Sequence, residues 1–419
     1  MISRGHGHVA DSRYAVMRLA VALVLMTVGS SSMYVVSVML PAVQAEFGAS
    51  RSEAALSYTL LMIGFGIGGV MMGRLADRFG VMWPLLLGAA SLGLGYLASA
   101  ISSNILMYAL VQGGLVGFLG SSVTFAPLVA DTSRWFIKRR GLAVAICATG
   151  NYLAGALWPP VVQHFVETAG WRSTYMGMGL FCSVTMAALA LLLRERPPVT
   201  EAPTLRATGA STTADTIRPF GLSFGTAQGL LCTAGVACCV AMATPQVHIV
   251  AYCGDLGYGA ARGAQMLSVM LGFGIASRLI SGGICDRIGG VRTLLLGSVL
   301  QCVSLLLFLP FNGLIPLFVV SALFGLFQGG IVPSYAIIVR EHFPVQEAGA
   351  RVGTVLMCTL LGMALGGWIA GKLFDLTGSY HAAFLNGIAW NMLNMVIALT
   401  LVLRVRRLSS ASLYRRYVG

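Results

Sequence analysis

Charged residues are scarce in this sequence. Asp, Glu, Lys and Arg together make up 10% of its 419 residues, whereas apolar residues make up 57%. A water-soluble domain needs more polar surface than this, so a soluble globular protein is excluded. Long stretches without charge are typical of chains whose solvent is the lipid bilayer. The composition therefore predicts an integral membrane protein.

Cysteine spacing of the kind that binds metal ions is also missing. None of the nine cysteines forms a CxxC pair or a CxxC…HxxxH set. Most of them lie inside apolar runs, where they are interpreted as small core residues. Examples are Cys147, Cys182, Cys238, Cys239 and Cys358. No metal ion, cofactor or catalytic group is predicted, and the chain is not expected to be an enzyme.

Twelve apolar runs are long enough to cross a bilayer as helices. They lie near residues 19–40, 54–73, 83–102, 105–128, 142–165, 174–193, 222–250, 264–285, 293–311, 315–338, 352–374 and 382–403. The first run is too long for the apolar core of a signal peptide, so it is interpreted as a retained span. The sequence thus predicts an all-α membrane protein with twelve transmembrane helices.

The segment 194–219 separates the twelve runs into two sets of six. It is rich in Pro, Thr, Ala and charge and has no apolar periodicity, which is typical of a flexible linker. The predicted organisation is a tail at 1–18, a six-helix half at 19–193, this linker, a second six-helix half at 220–403 and a tail at 404–419.

Basic residues are not gathered in one patch, although the formal net charge is +13. Nucleic acid is therefore excluded as a partner. Arg51, Arg172, Arg262 and Lys372 lie on one side of the predicted spans, Arg278 lies inside a span, and all others fall on the side of the termini. The positive-inside rule then places both termini and the linker in the cytoplasm, with the chain in the cytoplasmic (inner) membrane.

An internal repeat supports the division into halves. The stretch GRLADRFG at 73–80 follows the second span, and GGICDRIG at 282–289 follows the eighth, with identical spacing of Gly, Asp, Arg and Gly. Both stand between the second and third spans of their half, as expected of two parallel six-helix repeats.

The first copy resembles the loop signature of the major facilitator superfamily, and the resemblance covers essentially the whole chain. It departs where Val81 and Met82 replace the basic residues that usually follow. The resemblance implies that Asp77 meets the positive end of a neighbouring helix and that Arg78 meets an acid at the end of span four, here Asp131.

These contacts would latch the cytoplasmic side shut until transport releases them. The full predicted latch set is Gly73, Asp77, Arg78, Gly80, Asp131, Gly282, Asp286, Arg287 and Gly289. A plainer interpretation is a tight polar turn in which Gly80 supplies a positive φ. The two interpretations are compatible.

Within the superfamily, the sequence resembles the monocarboxylate and oxalate–formate transporters. The stretches that carry the resemblance are SRWF at 133–136, RRGLA at 139–143, GWR at 170–172, HIVAY at 248–252, DLG at 255–257, GKLFD at 371–375 and TGSY at 377–380. The family has an Arg in span eight, four residues before the loop Gly and eight before the loop Asp. Arg278 fits that spacing, and the resemblance implies that it binds the carboxylate of the substrate.

The depth of Arg278 supports the same role on physical grounds. At ~1.5 Å per residue, its distance from Asp286 places it about 12 Å inside the boundary of a core roughly 30 Å thick. No acid inside a predicted span is deep enough to neutralise it. An anion is therefore the expected partner, since a guanidinium holds a carboxylate through two parallel hydrogen bonds. The alternative is an Arg that is bonded to helix carbonyls.

Other polar and aromatic side chains at similar depth are candidates to complete a binding pocket. They are His248, Tyr335, Tyr34 or Ser37, Phe118 or Ser121, and Asn151. His248 follows an expected helix break at Pro245 and is a candidate proton carrier. Alternatively it is a histidine at the outer end of its helix that meets solvent, and Tyr335 is an aromatic residue that fills a gap.

Departures from the resembled families narrow the substrate. Span one has no Lys, Gly274 stands where animal members have an Asp, and span eleven lacks the second cation of the oxalate transporter. A single cation in the predicted site favours a substrate with a single carboxylate. Ala109 stands where drug–proton antiporters commonly have an Arg, which disfavours that mechanism.

The sequence therefore predicts a carrier that moves a small monocarboxylate, such as lactate or pyruvate, by alternating access. Proton symport is expected, through His248 or through the carboxyl group of the substrate. The expected partners are this carboxylate, protons and the lipid bilayer, and the carrier is expected to work as a monomer. The alternatives are exchange of carboxylate anions, efflux of an amphiphilic drug, or a membrane sensor on a carrier scaffold.

Overall fold

The protein is a bundle of twelve long apolar helices. The computed structural model describes residues 11–196 and 219–418, and the side chains of all of these except 345, 346 and 409–418. Within those ranges the membrane-capable helices are α1 Arg13–Phe47, α2 Arg51–Phe79, α3 Met82–Ala100, α4 Ile105–Trp135, α5 Arg140–Ala169, α6 Trp171–Leu192, α7 Phe224–Asp255, α8 Ala260–Ile288, α9 Gly290–Leu307, α10 Leu314–His342, α11 Glu347–Thr377 and α12 Tyr380–Leu408. The predicted fold class is confirmed.

Most helices extend a turn or more beyond the apolar run that predicted them. The start of α2 illustrates the reason, since Ser50 and Glu53 form a reciprocal capping box that satisfies the first free N–H groups. Such polar first turns carry no apolar periodicity. At the other end of the chain, α12 continues as helix to Val418, through the segment predicted as a tail. Most of the predicted linker, 197–218, lies outside the described residues.

The two copies of the repeated motif form equivalent turns. Gly80 ends α2 with φ +87° and Gly289 ends α8 with φ +82°, a backbone region that favours glycine. The next helix starts directly after each turn. We call the face of the bundle that carries these turns, the start of α1 and the end of α12 the tail face, and the opposite face the far face.

The two halves meet mainly along two helix pairs, α2 with α11 and α5 with α8. On the first pair, the Thr59 hydroxyl donates to the carbonyl of Ala364 at 2.9 Å. On the second, the Ser268 hydroxyl donates to the carbonyl of Ala156. Both bonds join one half to the other on the far-face side of the bundle.

Toward the tail face the two halves separate. Contact between α2 and α11 reaches Gly66, which lies against Met357, but Gly73 has open space beside it. Gly282, at the equivalent position on α8, also has open space beside it. Among the described residues, hydrogen bonds and an ion pair between the halves extend from the far face as far as Arg278, so the described bundle is closed at the far face and open at the tail face.

A candidate binding site around Arg278

Arg278 lies at the tail-face end of the contact between α5 and α8. Its Nη1 donates to the carbonyl of Ala148 at 3.1 Å. The guanidinium carbon lies 3.9 Å from the ring centroid of Tyr152, in cation–π geometry. Arg278 belongs to the second half of the chain, whereas both partners are on α5 of the first. The guanidinium therefore bridges the two halves.

One edge of this guanidinium has no protein acceptor. Nε is buried without a hydrogen-bond partner, and the bond to Ala148 uses Nη1. Among the described residues no carboxylate forms an ion pair with Arg278. A buried N–H without a partner is unfavourable, so this edge favours an acceptor. The alternative interpretation, an Arg that is bonded to helix carbonyls, accounts for the bond from Nη1 to Ala148. It does not account for the Nε side of the guanidinium.

Tyr152 was not among the residues predicted from the sequence. Its ring lies against α8 at Gly274, where a Cβ atom would overlap two of the ring carbons. A glycine one turn before Arg278 is thus required for the ring to reach the guanidinium. The sequence signal that could have identified Tyr152 is the combination of a glycine on α8 and an aromatic residue on α5. Periodicity along one helix does not give the register between two helices, so this pair could not be matched from the sequence.

Tyr34 and Asn151, two of the predicted pocket residues, lie close to Tyr152. The Tyr34 hydroxyl donates to Asn151 Oδ1 at 3.0 Å, and Asn151 Nδ2 contacts the sulfur of Met33 at 3.4 Å. Gly155 of α5 lies against the Tyr34 ring and against Leu271 of α8. Ser37 is buried three residues farther along α1. The structure therefore brings together α1, α5 and α8.

His248 lies elsewhere, at the far-face end of the second half. Its Nε2 bonds the carbonyl of Gly367 at 2.8 Å, so Nε2 carries the hydrogen, and Nδ1 accepts from the Tyr380 hydroxyl at 3.1 Å. The side chain is 2% exposed, so it does not meet solvent as the alternative interpretation assumed. The expected break at Pro245 is also wrong, because α7 is helical from Phe224 to Asp255.

Tyr335 is part of a buried polar network within the second half. Its hydroxyl donates to Asn394 Oδ1 at 3.1 Å, and Asn394 Nδ2 donates to the Ser298 hydroxyl at 2.7 Å. The tyrosine is fully buried. The network connects α9, α10 and α12, and no contact within the described part of the chain places it beside Arg278.

The two candidates on α4 also lie apart from Arg278. Phe118 lines a surface groove of about 620 Å³ together with the exposed residues Leu106 and Leu110. The Ser121 hydroxyl is hydrogen-bonded to Ser32 of α1, inside the first half. Phe118 lies in a π-helix over Gln112–Gly120, and Ser121 begins the 3₁₀ turn that follows it. This local irregularity shifts the faces expected from α-helical spacing.

The predicted latch residues of the first half contact partners within that half. Asp131 pairs with Arg18 at 2.8 Å, not with Arg78, and Asp77 pairs with Arg134 at 2.5 Å. The guanidinium of Arg78 lies over the ring of its neighbour Phe79. The expected contact between Arg78 and Asp131 is therefore absent in this conformation. In the second copy, Asp286 and Arg287 are exposed, without an ion pair among the described residues.

Arg18 was assigned to the tail from its position in the sequence, but it is buried in α1. Its guanidinium carbon lies 4.6 Å from the ring centroid of Trp135. Its Nη1 donates to the carbonyl of Glu195, just after α6. Arg18 thus ties α1 to α4 and to the end of α6 on the tail face.

Two of the sequence stretches that carried the family resemblance lie in the second half and contact the start of α2, in the first half, at the far face. Arg51 Nη2 lies 2.6 Å from Asp255 Oδ1. The backbone N–H groups of Arg51 and Ser52 donate to the carboxylate of Asp375 at 2.8 and 2.9 Å. Asp375 thus caps the start of α2 from the opposite half.

Comparison with known proteins agrees with this architecture. A sequence model of the Major Facilitator Superfamily matches residues 21–314 and 279–416. Monocarboxylate transporter 13 of Rattus norvegicus is 27% identical over 350 residues, which are 83% of this chain and 78% of that protein. Monocarboxylate transporter 11 of Homo sapiens is 30% identical over 329 residues, which are 74% of this chain and 66% of that protein.

Solved structures give the same fold. The crystal structure of a bacterial homolog to the human lysosomal transporter Spinster, in an inward-facing and occupied conformation, aligns with a TM-score of 0.72 at 11% identity. The alignment covers 94% of this chain and 98% of that one. At this identity the likeness concerns the fold alone. Because the family model matches most of the chain, the chain belongs to the Major Facilitator Superfamily, and it resembles the monocarboxylate transporters of that superfamily.

Proposed function

We propose that this protein is a secondary active transporter that moves a small monocarboxylate by alternating access. The observation that carries the proposal is the guanidinium of Arg278, which no described acid neutralises and whose Nε side has no protein acceptor. A carboxylate fits this edge through two parallel hydrogen bonds. Arg278 is the cation of this site, so one carboxylate is favoured over two.

The similarity to monocarboxylate transporters 13 and 11 supports this substrate class. Lactate and pyruvate are the simplest candidates, because each has one carboxylate and a short side group. Tyr34, Asn151 and Tyr152 provide aromatic and amide surface beside the guanidinium. Such a mixed lining suits a small anion that is partly apolar.

The separation of the halves at the tail face supports alternating access. Arg278 lies where the closed part of the interface ends, so an anion entering from the tail face would reach it first. With the tail face in the cytoplasm, as the positions of Arg and Lys predict, this conformation is inward-facing. The cytoplasmic membrane is the proposed location, and a monomer holds every residue of the proposed site.

The carboxyl group of the substrate is the proposed carrier of the proton. Both ring nitrogens of His248 are engaged within the second half, so this residue is poorly placed to exchange a proton with the substrate. Exchange of one carboxylate for another is the second candidate mechanism. It is favoured by the same observation, since no carboxylate or imidazole of the described residues contacts Arg278 to take up a proton.

Uptake into proteoliposomes tests the proposal. The panel is labelled lactate, pyruvate, oxalate and succinate, with the parent protein, Arg278→Ala and Arg262→Ala. Arg262 is a matched control, because it lies on the same helix, is exposed and, among the described residues, bonds its neighbour Gln265 alone. We expect uptake of a monocarboxylate that falls about thirtyfold or more in Arg278→Ala and stays near the parental rate in Arg262→Ala.

Equal uptake by the parent and Arg278→Ala would overturn the proposal, as would a panel in which no carboxylate is carried. Symport and exchange separate in the same vesicles. Symport accumulates the substrate only under an imposed pH gradient and works with empty vesicles, whereas exchange requires a carboxylate inside and ignores the gradient.

A further inference from the structure

We infer that Tyr152 is the positioning residue of the carboxylate site. Its ring holds the Arg278 guanidinium in place without neutralising its charge. The inference rests on the proposed function, since it concerns how the same site keeps its affinity for an anion. The contact itself is the shortest cation–π distance among the described residues, at 3.9 Å from the guanidinium carbon to the ring centroid.

The physical reason lies in the choice of partner for a charge inside a membrane bundle. A carboxylate partner would stabilise the guanidinium but would compete directly with an anionic substrate for the same N–H groups. An aromatic face attracts the cation through its quadrupole and takes no hydrogen bond from it. Tyr152 therefore stabilises Arg278 while its positive charge stays available.

Two groups on α5 contact different parts of the guanidinium. The ring of Tyr152 covers one face, and the carbonyl of Ala148, one helical turn earlier, takes Nη1. Nε lies on the other side of the group, without a partner. A carboxylate bound at the Nε edge lies in the plane of the guanidinium and leaves the stacked ring in place. Substrate and Tyr152 thus bind Arg278 at the same time, and the ring preorganises the site.

Gly274 is the second part of this arrangement. A Cβ at this position would overlap the Tyr152 ring, so any side chain there displaces the ring from α8. The ring and the guanidinium belong to different halves. The contact therefore exists only while α5 and α8 are together at this depth, and it preorganises Arg278 in the conformation that is open to the tail face.

The test measures the KM and maximal rate of labelled L-lactate uptake in proteoliposomes for substitutions at Tyr152. Tyr152→Phe keeps the ring, and we expect a KM within about twofold of the parent. Tyr152→Leu removes the ring, and we expect a KM about tenfold higher with a nearly unchanged maximal rate, because a desolvated cation–π contact is of that strength.

Fluorinated phenylalanines at position 152 separate the ring electrostatics from packing. One, two and three fluorines weaken the quadrupole progressively while the shape of the ring changes little. We expect log KM to rise steadily along the series, which a purely structural role would not produce. A flat series, or a KM that falls, overturns the inference even if Tyr152→Leu proves too unstable to measure.

Gly274→Ala tests the same contact from α8. We expect it to raise the KM as Tyr152→Leu does, and the double variant to be no worse than either single one, since both remove the same contact. Additive effects would contradict the inference. If lactate uptake is also independent of Arg278, the proposed function itself fails; if uptake requires Arg278 but ignores the fluorine series, only the role of Tyr152 fails.

Discussion

Asp375 of α11 caps the first turn of α2 across the boundary between the two halves. Its carboxylate accepts from the backbone N–H groups of Arg51 and Ser52, while the side chain of Arg51 pairs with Asp255 of α7. Charge-assisted bonds at a helix N-terminus are stronger than neutral ones. These contacts join three helices at the far face, which is the side on which the halves are closed. They must break before the carrier opens there.

Asp375→Asn is therefore expected to shift the protein toward the conformation that is open at the far face. The loss of one or two kcal/mol of differential stabilisation corresponds to about a fivefold to thirtyfold change in the ratio of the two conformations. Double electron–electron resonance between spin labels at 167 and 262, both exposed near the far face, measures this ratio.

Glu53→Gln is the matched control for that experiment. Glu53 is also a carboxylate in the first turn of α2, but it accepts from Ser50 N at 2.8 Å within its own half. Its substitution should leave the distance distribution unchanged. Equal shifts in both variants would mean that Asp375 acts through helix capping alone and not through closure of the far face.

The Arg18–Asp131 ion pair is predicted to be a major determinant of stability. Arg18 is 2% exposed, so removal of Asp131 leaves a buried charge without its partner. Breaking such a pair typically costs about 3–5 kcal/mol. We expect Asp131→Ala to lower the melting temperature of the purified protein strongly, as measured by loss of monodisperse protein on heating.

The pair Arg134–Asp77 offers a comparison on the same face. Its side chains are 49% and 60% exposed, so solvent screens the interaction and Asp77→Ala should cost less than about 1 kcal/mol. Arg78→Ala should also have little effect in this conformation. A melting temperature that falls more in Arg78→Ala than in Arg18→Ala would contradict the pairing described here.

The sequence was sufficient to predict features that depend on composition or on spacing along one helix. These include the twelve spans and the duplicated turns at Gly80 and Gly289. Features that depend on the register between helices were missed, such as the contact of Tyr152 with Arg278. The reason is physical, because in a bundle whose helices are apolar on every side, hydrophobic periodicity no longer marks the face turned to a cavity.

Arg18 and His248 show the same limit in different ways. Proximity to the chain terminus placed Arg18 in the tail, but burial against Trp135 and Asp131 places it in the bundle. His248 was expected to face a substrate because it is polar at moderate depth. In fact its hydrogen bonds to Gly367 and Tyr380 hold three helices of the second half together. A polar residue in a membrane helix is therefore explained only after its partners are known.

His248→Gln is expected to retain coupling of transport to the pH gradient. A glutamine amide can donate to the carbonyl of Gly367 and accept from Tyr380, so the local structure should survive. The ratio of lactate uptake with and without an imposed gradient should match that of the parent. Loss of gradient dependence with intact lactate exchange would instead identify His248 as the proton carrier.

Substitution of two tyrosines by phenylalanine distinguishes the binding site from the buried network. Tyr34→Phe removes the donor to Asn151, beside Tyr152, and should raise the KM for lactate about threefold to tenfold. Tyr335→Phe removes the donor to Asn394, within the network of α9, α10 and α12, and should lower stability by about 1 kcal/mol with little change in KM. The two variants lose the same chemical group from buried positions. A larger KM effect in Tyr335→Phe would therefore move the substrate site from α1, α5 and α8 into the second half.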